Sequence, residues 1–235
     1  MKNKINLKEL IKDPMFRLLA AVLLFLTVGT AAGAFFGTQN KKVIVLDASF
    51  GGEYTGNSGI VNEADVSHEL VGYIEKELKK TKKFDVVITD SVSVKDRAVL
   101  INELEPDLVI SIHAAYSGNP EDGGMLIYPE PSGSSFEAAQ AIQNAFAVDN
   151  EKPGIRYKYY EKLKGNRYAE IITENAADGN GRQTWLIMEE VNAPVVVVEQ
   201  FHVSSRIDTD VWANENGYQK AAGLYAEALK ALYEN

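Results

Sequence analysis

Three residues in this chain carry the chemistry of a hydrolytic or metal site: Glu63, His113 and Glu199. His113 follows the apolar run Leu108-Val109-Ile110-Ser111-Ile112, and Glu199 follows Val195-Val196-Val197-Val198. An imidazole and a carboxylate are good ligands for a borderline metal ion. A second carboxylate can then serve as general base toward a metal-bound water. A third run, Val43-Ile44-Val45-Leu46, leads into Asp47-Ala48-Ser49-Phe50-Gly51-Gly52. Its end holds Phe50, whose ring has no lone pair to donate.

Composition narrows the choice. The 235 residues contain no cysteine and three histidines, His68, His113 and His202. Disulfides, a lipidated cysteine, a thiol nucleophile and thiolate-bound zinc are therefore excluded. Any metal must be held by histidines and carboxylates. A net charge of −9 argues against a nucleic-acid partner.

The elements that must position these residues alternate between strand and helix. The spacing predicts strands at 43–46, 84–89, 108–112, 125–128 and 195–198. It predicts helices at 62–80, 95–104, 134–146, 185–191 and 217–233, with Asn62 and Ser134 as N-caps. Residues 151–183 read as polar and irregular. This pattern implies a single α/β domain, residues 43–235, with a mostly parallel twisted sheet of about six strands flanked by helices. Buried parallel strands read as continuous apolar runs, and open α/β sheets place their chemistry beyond the strands' carboxyl ends.

Within the 62–80 helix, Glu63 lies about 60° from Val66 and about 20° from Leu70 and Ile74, on the buried stripe. A carboxylate there needs a partner, a metal or the helix N-terminus. His68, about 140° further round, is expected to face solvent. Taken singly, His113 also fits a core histidine and Glu199 a buried ion pair. Residues 152–168 form a local basic and aromatic stretch, with Lys158 among Tyr157, Tyr159 and Tyr160. Such a stretch can meet sugars and carboxylates, or be an ordinary solvated loop or hairpin.

Ahead of the domain, residues 1–17 are basic and 18–36 hold no charge. That is the length of a bilayer span, followed by a linker at 37–42. The basic flank predicts a single-pass anchor with the domain outside the cytoplasm. A cleaved signal peptide ending near Ala32-Gly33-Ala34, releasing a secreted domain, is the alternative.

Five ordered motifs resemble the zinc-dependent N-acetylmuramoyl-L-alanine amidases of the amidase-3 family. They are Asp47-Ala48-Ser49-Phe50-Gly51-Gly52, Asn62-Glu63-Ala64-Asp65-Val66, Arg97 with Asn102, Ser111-Ile112-His113-Ala114, and Pro194 to Glu199. The resemblance spans about residues 43–233. It implies cleavage of the amide between muramic acid and the stem peptide of peptidoglycan. It also implies zinc held by Glu63, His113 and a histidine at position 50, with Glu199 as catalytic base. Here position 50 is Phe, so two of three family ligands are present. His202 is a candidate replacement.

Arg97, Asn102, Tyr157 and Tyr159 are candidate substrate contacts. The implied partners are peptidoglycan or muropeptides, the membrane through 18–36, and a partner amidase or regulator. The missing ligand favours a wall-binding domain with impaired hydrolysis. An active zinc amidase that recruits His202 is the alternative.

Overall fold

Strand β1 (Lys42–Ala48) shows how the sheet is built: Ile44, Leu46 and Ala48 enter one hydrophobic cluster and Val45 enters another, all fully buried. Side chains alternate along a strand, so a strand covered on both faces must be apolar at nearly every position. β3 (Leu108–Ala115) and β8 (Val195–His202) obey the same rule. The computed structural model describes residues 41–50, 54–89, 93–147, 152–165, 167–179 and 181–234. The expected cytoplasmic segment 1–17, the span 18–36 and most of the 37–42 linker lie outside the described residues. Among those described, no helix is long and apolar enough to cross a membrane.

The main sheet has six strands in the order β2-β1-β3-β8-β4-β5. β2 (Phe84–Thr89), β1, β3 and β8 run parallel. β4 (Leu126–Pro129) is antiparallel to β8, and the short β5 (Gly154–Ile155) is parallel to β4. Helices α1 (Glu63–Thr81), α3 (Gly133–Ala145) and α6 (Glu215–Tyr233) cover one face. Helices α2 (Val94–Leu104) and α4 (Leu186–Glu190) cover the other.

α1 buries Leu70, Ile74 and Leu78 at helical spacing. Its dense contact with α6 and the sheet means that truncating Ile74 to Ala would cost roughly 2–5 kcal/mol.

Several expectations are corrected. Ser134 is not the cap of α3: Ser132 takes that place, its hydroxyl accepting from the Ser135 N–H. Asn62 occupies the cap position of α1 but bonds the Asp65 side chain instead of the backbone. The 151–183 region is not irregular. Its β6 (Tyr157–Lys162) and β7 (Tyr168–Thr173) form a separate antiparallel pair, followed by a 3-10 turn at Ala176–Gly179. Its alternation of tyrosine with charged residues lacks the apolar signal of the main strands. A short α5 (Arg206–Trp212), capped by Ser205, follows β8.

Candidate active site

β3 and β8 both continue past their apolar runs, so His113 and Glu199 lie within strands and not after them. They are register partners in the parallel pair. Both share the sheet face of Val109, Val195 and Val197, because all are an even number of residues apart along their strands. The next matched pair is Ala115 with His202, so β8 carries an extra residue there.

Glu63 reaches this face from the first turn of α1. Its Oε1 lies 2.8 Å from His113 Nδ1 and 3.3 Å from the N–H of Ala114. The Ser49 hydroxyl also donates to Oε1 at 3.3 Å, and the Asn57 N–H donates to Oε2 at 2.9 Å. Burial by itself raises the Glu63 pKa. The hydrogen bond and charge of His113, with the two backbone N–H donors, outweigh burial and hold it below the ordinary carboxylate value. The helical geometry that placed Glu63 on the buried stripe agrees with its 1% exposure.

Glu199 is also buried, and both its oxygens have donors. Oε1 accepts from Lys158 Nζ and Oε2 from the Tyr128 hydroxyl, each at 2.9 Å. Burial and the Glu199 carboxylate push the Tyr128 phenol well above its usual range. Lys158 lies 4.4 Å from the centre of a Trp185 ring and 5.0 Å from that of Tyr128, in cation–π range. Trp185 in turn packs 5.0 Å from the His113 ring. Tyr128, Lys158 and Trp185 are site residues that sequence reasoning misses. The basic and aromatic stretch signals Lys158, but only pairing of β6 with β7 fixes which of its side chains face the sheet.

Beside His113 and Trp185 opens a cavity of about 540 Å³, bordered also by Phe50, Arg97, Tyr160 and Tyr168. Of the β6–β7 aromatics, Tyr160 and Tyr168 border it. The expected contacts Tyr157 and Tyr159 do not. Tyr159 is buried, with its hydroxyl on the carbonyl of Ala176. Strand alternation sends 158 and 160 one way and 157 and 159 the other.

Arg97 and Asn102 are also placed differently from expectation. Arg97 is 3% exposed, and its Nε donates to Asp47 Oδ1 at 2.6 Å. Thr89 and Ser111 complete the fully buried Asp47, each at 2.7 Å. Arg97 borders the cavity but its principal charge partner is the scaffold. Asn102 bridges the Glu190 carbonyl and the Asn192 N–H. It lies beside Pro194, at the start of β8 and so at the opposite end of the sheet from Glu199.

His68 does not simply face solvent. Its Nε2 lies 2.9 Å from the Phe50 carbonyl oxygen and ties α1 to the end of β1.

The residues present do not fit the zinc that the family generally uses. Phe50, the residue that the sequence resemblance sets at the first ligand, has no donor atom in its side chain, and its ring centre lies 6.0 Å from that of His113, edge to face. A Cβ placed on Gly56 would lie 2.6 Å from both Glu63 Oε2 and the Phe50 ring, so carboxylate and ring crowd one spot. Phe50 itself adopts φ 57°, a left-handed conformation that costs a bulky residue on the order of 1 kcal/mol or more. His202 is not grouped with Glu63 and His113 as a third candidate ligand. Among the described residues no three His, Asp or Glu side chains are grouped to hold a metal. The His202 Nδ1 is buried with no protein hydrogen-bond partner, and the His202 backbone N–H donates to Asp208 Oδ2.

A mostly parallel, doubly covered α/β sheet with an imidazole and two carboxylates toward its carboxyl end defines a hydrolase-type scaffold. Residues 44–231 match the Amidase_3 family, N-acetylmuramoyl-L-alanine amidase, and the chain belongs to that family. A search of curated proteins finds no significant match.

Solved structures give the same fold. The N-acetylmuramoyl-L-alanine amidase from Clostridium difficile 630 superposes with a TM-score of 0.68 at 19% identity, over 83% of this chain and 98% of that one. The catalytic domain of CwlV from Bacillus (Paenibacillus) polymyxa var. colistinus gives 0.64 at 22%, over 82% and 98%. The CwlD amidase from Clostridioides difficile, solved in complex with the GerS lipoprotein, gives 0.65 at 16%, over 83% and 99%.

Proposed function

We propose that this chain is a membrane-anchored, extracytoplasmic domain that binds bacterial peptidoglycan through an amidase fold and has impaired hydrolytic activity. Phe50 carries the reading. Catalytic zinc keeps three protein ligands and one open position, and two ligands hold it weakly. Without tightly held metal, water keeps a high pKa and the scissile carbonyl is not polarised.

The cavity supports a binding role. Tyr160, Tyr168, Trp185 and Phe50 present ring surface on which a sugar or stem peptide can pack, and about 540 Å³ suits a fragment of that size. The uncharged stretch 18–36 supports the anchor. Peptidoglycan is the partner, with a second amidase or its regulator as a further one.

Three measurements on the detergent-solubilised chain test this. Metal content by mass spectrometry is expected to be far below one zinc per chain, and purified peptidoglycan is expected to release no stem peptide. Co-sedimentation with insoluble wall is expected to retain the protein. Stoichiometric zinc with a turnover that disappears in Glu199→Gln would overturn the non-hydrolytic reading, and failure to sediment would overturn the binding role.

A further inference from the structure

We propose that Lys158 is the built-in cation of this site, and that it excludes a divalent metal jointly with Phe50. The inference rests on the non-hydrolytic reading above and adds a second residue to it.

Glu63 and Glu199 are two carboxylates at one end of the sheet, each less than one-tenth exposed. Buried carboxylates need charge-bearing or hydrogen-bonding partners. In a zinc hydrolase the metal supplies much of that compensation. Here the chain supplies it. Glu63 takes His113 and the donors of Ser49, Asn57 and Ala114. Glu199 takes Lys158, at 2.9 Å, and Tyr128.

The ammonium is held there on several sides. Its side chain is 7% exposed. The ring faces of Trp185 and Tyr128 cover it, and Glu170 lies at 4.0 Å toward the β7 side. A paired ammonium this deeply set is a resident charge, not a passing surface contact.

Two consequences follow for metal and base. Trp185 packs against both Lys158 and His113, and His113 is the register partner of the Glu199 that Lys158 binds, so a metal on His113 would sit close to a fixed positive charge. Like charges at that range in a buried site repel strongly. A general base needs a proton acceptor open to water. Glu199 Oε1 is instead committed to an ammonium and Oε2 to a phenol. The single substitution Phe50→His therefore leaves the site still opposed to metal.

The test compares zinc affinity, by competition with a chromophoric chelator, across full-length variants. Phe50→His is expected to bind zinc weakly. Adding Lys158→Met to it is expected to tighten zinc by at least about tenfold. Adding Lys158→Arg, which keeps the charge, is expected to give no such gain. Equal affinity in Phe50→His and in the Phe50→His, Lys158→Met double variant overturns the proposal.

A measurement on the unaltered chain stands beside it should Lys158→Met misfold. Lys158 should react with an amine-acetylating reagent at least about tenfold more slowly than exposed Lys162, because its nitrogen is buried and paired. Equal rates overturn the proposal as well. The non-hydrolytic reading fails separately, on zinc and turnover in the unaltered chain, so the two failures are distinguishable.

Discussion

Two buried acid–base pairs sit on the same face of this sheet and do different work. Asp47 on β1 meets Arg97 at 2.6 Å, and Glu199 on β8 meets Lys158 at 2.9 Å. Asp47 also takes two hydroxyl donors, from Thr89 on β2 and Ser111 on β3, so it locks three neighbouring strands and α2 together. Glu199 takes one further donor, Tyr128, and its lysine arrives from the separate β6–β7 pair. The first is a scaffold pair that ties the main sheet to α2. The second joins the sheet to an outlying hairpin beside an open cavity. The first holds the fold together without drawing on any residue of the Glu63–His113 pair. The second shows a site whose charge is balanced from within.

The comparison can be broken at its strongest point first. Asp47→Ala removes the Asp47 carboxylate from the buried Arg97 guanidinium and from the Thr89 and Ser111 hydroxyls, and should destabilise the domain by roughly 3–5 kcal/mol in urea unfolding. A loss below about 1 kcal/mol would mean that this pair is no more structural than an exposed one.

Lys158→Met should cost less, roughly 1–3 kcal/mol, because Glu199 keeps the Tyr128 bond. The double variant Lys158→Met with Glu199→Gln should recover part of that loss, since removing both members of a buried pair is milder than removing one. No recovery would sink the view of the two as a coupled pair.

Acid provides a third probe, aimed at Glu63. Its folded-state pKa lies below the ordinary value of 4.5, so the unfolded chain binds the proton more readily. The contribution is therefore fully present above about pH 4.5 and is lost as pH falls through the lower folded value. Thermal melts should show a drop in that window that is reduced in Glu63→Gln. An identical drop in the variant would remove Glu63 as its cause.

The smallest effect is expected at Asn102, far from the cavity. Asn102→Ala loses two bonds to backbone and should cost on the order of 1 kcal/mol, with wall co-sedimentation unchanged. A weakened wall interaction would return Asn102 to the substrate contacts.

Much of the main sheet was legible. β2 matches the expected 84–89, and β1, β3 and β8 start within a residue of expectation, because burial on both faces demands unbroken apolar runs. Their ends were missed, since Asp47, His113 and Glu199 look like terminators but continue the ladder. Their polar atoms find partners inside the fold. Helices α1 and α2 were legible from their apolar spacing. β6 and β7 were not, because tyrosines alternate with charged residues in β6 and both faces of the pair are only partly buried, so neither strand has a long apolar run. Glu63 was legible as buried from its helical phase alone. The side chains on Glu199 were not, because Tyr128 and Lys158 stand 71 and 41 residues from it in the chain.

The sequence by itself determined the α/β class, the ordered motifs, the absence of thiol chemistry and a phenylalanine, with no donor atom in its side chain, at position 50. All of these are matters of residue type and local spacing. Only the tertiary structure decided that Arg97 serves Asp47, that His202 does not join Glu63 and His113, and that Lys158 neutralises Glu199. These depend on which strands become neighbours and which face each residue takes. A shift of one residue in β6 would have turned Tyr157 and Tyr159 to the side that Lys158 and Tyr160 now take.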